Sequence, residues 1–426
     1  MRINNTHTSG NKFQSFLTVI IFSAIILIFG NCQSKKIQRA GKLTLKIDVQ
    51  NQTPSSRAHA MLTLRKDQLV QFVPNVDLNR LVVLEKDVEI PSQVIDDKLA
   101  FMVDHIGPST KKEFVLEIDE NHVDRVYPKK TQAELSVKKG GKFENRKYIG
   151  GVFENIDYLR VPDEHTDHSF YIRYEGPGWE SELIGYRFYL DWRNAIDIFG
   201  KKSKNVILDQ VGLDGFDSYH EMQPWGMDVL NVGNSLGIGS LGTFYNGKAI
   251  RIDKTDSVIC QVLENGPIYS AIKTSYYGWD VAANQFDIES ILSIHAGTRL
   301  THHEIIVSSN PENLCTGIRK ENNARLFTDQ GNKDQWGYLA TYGVQSLNND
   351  KLGLAVFFSN KHFKGFTEDE YSNIVKLIPI SGRLDYYLMG AWEGEENGIK
   401  NEEEFMNYIK QTTKELAVPI TVSIKN

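Results

Sequence analysis

Leu43, Leu45, Ile47 and Val49 alternate with polar residues in LTLKIDVQ, which sets one apolar face on a half-buried strand. Comparable short apolar runs recur at 114–118, 258–262, 268–277, 286–294, 299–308, 336–344 and 352–359. Turn residues such as Asn246-Gly247 and Asn265-Gly266-Pro267 punctuate them. This predicts an all-β chain built from sandwiches or a large layered sheet. One helical pattern stands out, with Phe405, Tyr408, Ile409 and Leu416 spaced for a helix over 402–415. The pattern divides the chain into a β-sandwich at 43–120, a charged, lysine-rich connection at 121–150 and a main β domain at 151–426.

The first residues read differently. Arg2 and Lys12 precede an uncharged apolar run at 16–29, the layout of a secretory signal peptide. A membrane-crossing helix needs about 20 apolar residues, so this run is short for a permanent anchor. Gly30-Asn31-Cys32 followed by Gln33-Ser34-Lys35-Lys36 resembles a lipobox, in which Cys32 becomes the lipidated first residue. The expected location is the periplasm or cell envelope, with a lipid tether to the outer membrane.

Loss of residues 1–31 removes Arg2, Lys12 and no carboxylate, so the net charge goes from −6 to −8. Such a chain is not a nucleic-acid binder by charge. Its field opposes an acidic ligand, and a local group of basic side chains must overcome that. Cys260 and Cys315 sit in apolar strand-like settings and read as buried free thiols. No CxxC or comparable metal spacing occurs.

Residues with chemical potential gather between Tyr171 and Leu241, in two clusters: YRFYLDWRNAIDIFGKK from Tyr186, and SYHEMQPWGMDVLNVGNSLGIG from Ser218. The glycines Gly233, Gly237, Gly239 and Gly242 lack the lysine and βαβ setting of a nucleotide loop, and read as sites of tight turning and close backbone approach.

These clusters resemble the domain-of-unknown-function family 4861, found in polysaccharide-degradation gene sets of marine and gut Bacteroidetes-type bacteria. The segment WGMDVL–VG–SLG is the most specific part of the likeness. The precedent associated with it is an oligosaccharide dehydratase of ulvan breakdown. The strands after Gly266 also resemble the second half of galactose-mutarotase-like supersandwiches. The resemblance implies a β-supersandwich enzyme, a carbon–oxygen lyase that removes water from a non-reducing-end uronic acid. A polysaccharide lyase on uronate glycans and a non-catalytic glycan-binding lipoprotein are the alternatives.

Dehydration of a terminal uronate requires a base for the C5 proton, an acid for the departing C4 hydroxyl and neutralisation of the carboxylate. One well-aimed donor to the developing charge is worth roughly 3 kcal/mol. His220 and Tyr219 are the base and acid expected here, since imidazole titrates near neutrality and a phenol ionises beside a cation. Adjacent residues share one substrate only if the loop kinks, and Gln223-Pro224 makes a kink plausible. Arg193, after Trp192, is the expected carboxylate clamp, with a salt bridge to Asp191 or Asp197 as the bland reading. Trp225 is expected as a sugar platform, and Glu221, Tyr171, Lys202, His303 and Trp392 as further substrate contacts.

His302 and Glu304 share one strand face and His303 the other, which makes a histidine there the alternative base. His165, Asp167 and His168 form a weaker metal-ligand pattern. No cofactor and no protein partner is expected beyond the acidic oligosaccharide and the membrane, although a divalent cation would serve the same charge-neutralising purpose.

Overall fold

The computed structural model describes residues 44–425 except 120, 122, 216, 217 and 334. The export segment and Cys32 lie outside the described residues. Strands form where the alternation predicts them. The run at 336–344 becomes strand Trp336–Val344, and that at 286–294 lies within Asn284–His295.

Two sheets make the N-terminal sandwich. One orders Thr421–Lys425, Thr44–Gln50, Lys111–Ile118, Leu81–Glu85 and Val88–Glu89, and the other Arg57–Arg65, Lys98–Ile106 and Ser92–Ile95. Ile47, Val49, Leu64, Phe101, Val103, Phe114 and Leu116 fill the space between them. The chain's last strand is an edge of this sandwich, so the N-terminal unit takes in residues 421–425, which the sequence pattern assigns to the main domain.

The main body is a nine-stranded antiparallel sheet that runs from Tyr158–Arg160 through Ser257–Asn265, Tyr269–Val281, Asn284–His295, Thr301–Val307, Arg383–Trp392, Lys351–Ser359 and Trp336–Val344 to Ala324–Asp329. Two five-stranded sheets cover its inner face. One contains Thr131–Glu134, Gly178–Ser181, Ile184–Phe188, Ile196–Lys201 and Gly226–Asp228, and is called the site sheet below; the other is centred on Leu314–Arg319. Trp179, Tyr186, Ile198, Ile272, Leu292, Leu388, Leu314 and Val375 form the shared core.

Single β-bridges Ile196–Gly237 and Ile238–Ile318 join the two covering sheets. Gly237 has φ +55°, and a Cβ there would stand 2.2 Å from the Ile196 carbonyl oxygen, so this junction requires glycine.

Helix Glu402–Ala417 packs Phe405 and Ile409 on Ala355, Phe357 and Met389, on the outer face of the nine-stranded sheet. The Asn401 side chain accepts the Glu404 N–H at 2.9 Å and caps it. The connection expected at 121–150 is structured in its second half, where Thr131–Glu134 is an edge of the site sheet and Ser136–Glu144 pairs with Lys147–Asn155 in a separate hairpin. Lys138, Lys139, Lys142 and Lys147 lie along that hairpin, a charged pattern that reads as linker when the pairing partner is unknown. Cys260 and Cys315 are both free and buried.

Candidate active site

In the site sheet the alternation of side chains sends Ile184, Tyr186, Phe188, Ile196 and Ile198 into the main core. Arg187, Asp197, Phe199 and Lys201 therefore face the other way. Register places Asp197 opposite Arg187 and Asp228 opposite Phe199. This charged face is roofed by the segments at 165–175 and 202–225, whose Tyr174, Leu208, Val211, Tyr219 and Trp225 pack on Phe199. Lys201 and Glu180 hold the roof down. Their buried ion pair is 2.6 Å long, and Glu180 Oε1 accepts the backbone N–H groups of Ile207 and Leu208. Lys201 is thus an interior residue, while its neighbour Lys202 is exposed.

Arg187 is 1 % exposed and uses its whole guanidinium. Nε and Nη2 donate to Asp197 Oδ2 at 3.1 and 2.8 Å, Nη2 to Asp228 Oδ2 at 2.5 Å and to the Tyr189 hydroxyl at 2.6 Å, and Nη1 to the Tyr219 hydroxyl at 3.1 Å. Tyr189 in turn donates to Asp197 at 2.6 Å. Burial and the neighbouring Asp197 raise the Asp228 carboxyl well above the ordinary range, against the pull of Arg187.

Arg193 lies beside this group, stacked 3.8 Å from the Tyr189 ring centroid. It is engaged by Asp191 through Nε at 2.9 Å, by Glu175 at 2.9 Å and by Asp167 at 3.1 Å. Glu175 reaches Arg187 as well, at 3.8 Å. Burial pushes the Glu175 carboxyl up, but Arg193 and Arg187 outweigh it and bring it down to about 2. Burial raises Asp167, with Arg193 opposing and Glu175 assisting.

The backbone here is strained. His168, Phe170, Tyr174, Glu175 and Asn194 all have positive φ, between +39° and +70°. Such conformations cost about 1–3 kcal/mol each for bulky residues and gather at functional sites.

Tyr219 and His220, expected as an acid–base pair, lie in the one-turn 3₁₀ helix Ser218–His220 with rings 4.5 Å apart. The tight turn supplies the kink that adjacent residues need. Tyr219 is 0 % exposed, and burial raises its hydroxyl even though Arg187 opposes the shift. The sequence argument has a cation lowering it; desolvation wins because the whole ring is enclosed. His220 Nε2 stands 3.7 Å from Asp228 Oδ2, and its side chain is 34 % exposed.

Arg193 joins the cluster, but its guanidinium is taken by three carboxylates of the chain, so it is not an open clamp. Trp225 is half-buried, edge-on to Phe199 at 5.9 Å, and its carbonyl accepts the Lys202 N–H at 2.7 Å. Lys202 and Glu221 are exposed beside it. Tyr171 packs on Phe143 and Tyr148 of the hairpin at 5.1 and 5.0 Å.

Two expected contacts are not brought here. Trp392 is 1 % exposed, with Nε1 donating to Asp350 Oδ1 at 2.7 Å. His303 is 2 % exposed against the Ser290 hydroxyl at 2.7 Å, on the nine-stranded sheet. Both strand positions face inward, and apolar neighbours in sequence do not reveal which face meets solvent. Sequence reasoning missed Arg187, Asp197, Asp228 and Glu175 as a network. Alternation in YRFYL and IDIFGK marks two of them, since a charge set between core residues on a strand must face something.

A large cavity lies elsewhere. About 1120 Å³ in volume, it opens between strand Arg57–Arg65, His302, Trp336, Tyr387 and the C-terminal helix. His302 stacks on Tyr387 at 4.4 Å and lies 3.4 Å from Glu304 and 3.5 Å from Asp385. The ion network is preferred as the active site because it concentrates buried charge, shifted carboxyls and strained backbone, which an ordinary cleft does not require.

A family model described as a domain of unknown function, DUF4861, matches residues 49–422. Among solved structures the chain is similar to a protein in the glycosyl hydrolase family 38 from Enterococcus faecalis, at 10% identity over 90% of this chain and 47% of that one, with a TM-score of 0.51. An α-mannosidase from Enterococcus faecalis V583 aligns at 10% identity over 90% of this chain and 46% of that one, with a TM-score of 0.46. The chain thus spans about half the length of either. At 10% identity the first likeness is one of fold. No curated protein matches the chain.

Proposed function

The chain belongs to the DUF4861 family, and on that premise we propose that it is an exported, lipid-anchored oligosaccharide dehydratase acting on a non-reducing-end uronic acid of an acidic polysaccharide such as ulvan. The observation that carries this reading is His220, a solvent-reaching imidazole 3.7 Å from the buried carboxyl of Asp228. An imidazole so placed takes the C5 proton, the freed electron pair forms the C4=C5 double bond, and the C4 hydroxyl leaves as water with the proton returned to it. The products are one 4,5-unsaturated uronate and one water, and the histidine is regenerated. Tyr219 and Arg187 act behind His220 as positioning residues. Trp225, Lys202 and Glu221 rim the approach.

The fold likeness to a glycosyl hydrolase family 38 protein supports a glycan-processing role in general terms. The test is absorbance of the unsaturated uronate, with mass spectrometry, on saturated uronate-ended oligosaccharides and separately on intact polymer. Absorbance with loss of one water from the oligosaccharide is expected. Absorbance only with polymer, with chain shortening, would sink the dehydratase.

The cavity at His302 favours one second reading, a polysaccharide lyase working in the cleft beside the N-terminal sandwich. It predicts that His302→Ala, and not His220→Ala, ends turnover.

A further inference from the structure

Both arginines of the ion network are consumed by the chain's own carboxylates, which leaves a substrate carboxylate without a counter-charge. Asp167, Glu175, Asp191, Asp197 and Asp228 face Arg187 and Arg193, an excess of three acids. At one end of this network Asp167, His168 and Glu175 each offer a ligand atom, and the three atoms lie within 4.8 Å of one another. Opposed ligands of a divalent ion with bonds of about 2.1–2.4 Å are separated by a similar distance.

The second observation is at Glu175. Its side chain is 5 % exposed, and Oε2 accepts no hydrogen bond. A buried carboxylate oxygen left so costs about 1–3 kcal/mol or more, because it has lost its water. The facing Asp167 Oδ1 is also buried, between Arg193 Nη2 at 3.1 Å and His168 Nδ1 at 2.6 Å. Glu175 Oε1 accepts the His168 backbone N–H at 3.0 Å, and the left-handed backbone at His168 and Glu175 turns these side chains toward one another. The ligands are thus held before any ion arrives.

We propose that Asp167, His168 and Glu175 bind one divalent cation of mixed nitrogen and oxygen preference, such as Mn²⁺ or Zn²⁺, whose open positions take the substrate's carboxylate. One imidazole with two carboxylates suits such ions better than Mg²⁺, which keeps its water. The ion brings two positive charges to a cluster in which five carboxyl groups face two arginines, and gives an acidic site a means to hold an acidic sugar. The three-residue set differs from the histidine-paired pattern visible in sequence. His165 turns instead to the Ser169 hydroxyl at 2.8 Å, and Glu175 takes its place from a strained turn seven residues after His168.

The carboxylate role rests on the dehydratase reading; the cation site does not. The experiment is Mn²⁺ titration of the chelator-treated full chain, followed by the electron paramagnetic resonance of free Mn²⁺, with bound Zn²⁺ measured by elemental analysis. One ion per chain is expected, with affinity at least tenfold lower in His168→Ala and Glu175→Gln and unchanged in His302→Ala. Should Glu175→Gln fail to fold, His168→Ala, a change at a side chain that reaches solvent, decides alone. Absence of stoichiometric binding of either ion, or wild-type affinity in His168→Ala, overturns the proposal. A bound ion with no unsaturated uronate formed would sink the dehydratase and leave the cation site standing. Turnover by chelated, ion-free protein would overturn the ion's role in holding the substrate carboxylate and leave the dehydratase standing.

Discussion

Asp228 Oδ2 lies 3.7 Å from His220 Nε2 while it accepts a hydrogen bond from buried Arg187, so the interior ion network ends at an imidazole that reaches solvent. His220→Ala is expected to lower kcat/KM by about 10²–10⁴-fold, the usual worth of a general base. Because His220 is partly exposed, thermal unfolding should stay within about 0.5 kcal/mol of wild type. Unsaturated-uronate absorbance and a melting curve check both. An active, stable His220→Ala variant removes it as the base.

Arg187 has a structural duty that His220 lacks. Arg187→Met leaves Asp197 and Asp228 buried without their cation, a change that costs about 3–5 kcal/mol when one member of a buried pair is removed. Urea unfolding should show that loss, whatever happens to activity. A variant as stable as wild type would mean that the two aspartates are neutral without help.

Tyr219 divides two roles. It is enclosed, its hydroxyl accepts from Arg187 at 3.1 Å, and burial raises rather than lowers its pKa. Tyr219→Phe should cost about 1–3 kcal/mol for the lost partner. The pH profile of kcat/KM should keep the same limbs as wild type, since a group that does not ionise near neutrality cannot set one. Loss of a limb would reinstate Tyr219 as the acid of the pair.

Much of this was legible in the sequence, for a physical reason. Strands and the helix announce themselves by period, and the runs at 336–344 and 402–415 needed no tertiary information. Tyr219, His220 and Arg193 stood out because reactive side chains crowd one stretch, and the fold brings those three together. What stayed hidden depends on which face of a strand is roofed. Arg187 and Asp197 are cross-strand neighbours ten residues apart, and Glu175 joins them through backbone angles that no composition reveals. Trp392 and His303 look like site residues in sequence and lie inward in the fold. The last strand pairs with the first, a contact between chain ends that periodicity cannot show.

The pH dependence of stability has a defined sign at His303. Burial lowers its pKa to about 3, from an ordinary value near 6.5. The folded state refuses a proton that the unfolded chain accepts below about 6.5. Its stabilising effect is therefore complete above that pH and declines as pH falls from 6.5 toward 3. Asp228, with a raised pKa, acts in the opposite sense, so the informative quantity is the difference between wild type and His303→Gln. That difference in unfolding free energy should shrink by a few kcal/mol, about 1.4 per pH unit, between pH 6.5 and 4. A difference that is flat across this range would place a charged imidazole at position 303 in the folded state.

The final strand offers a test of the architecture itself. Thr421–Lys425 pairs antiparallel with Thr44–Gln50, and Val422 and Ile424 pack against the sandwich core. Asp48, almost enclosed, is paired with Lys111 on one neighbouring strand and Lys425 on the other. Ending the chain at 420 removes one of those lysines and the apolar cover, and turns Thr44–Gln50 into an open edge, a template for association with other chains. The truncated chain is expected to exchange the amide hydrogens of residues 46–50 faster than the full chain and to self-associate on concentration. The amides of the site sheet should be unaffected, because the strand contributes nothing to it. Equal quickening in both regions would instead mean that the sandwich and the main body unfold as one cooperative unit.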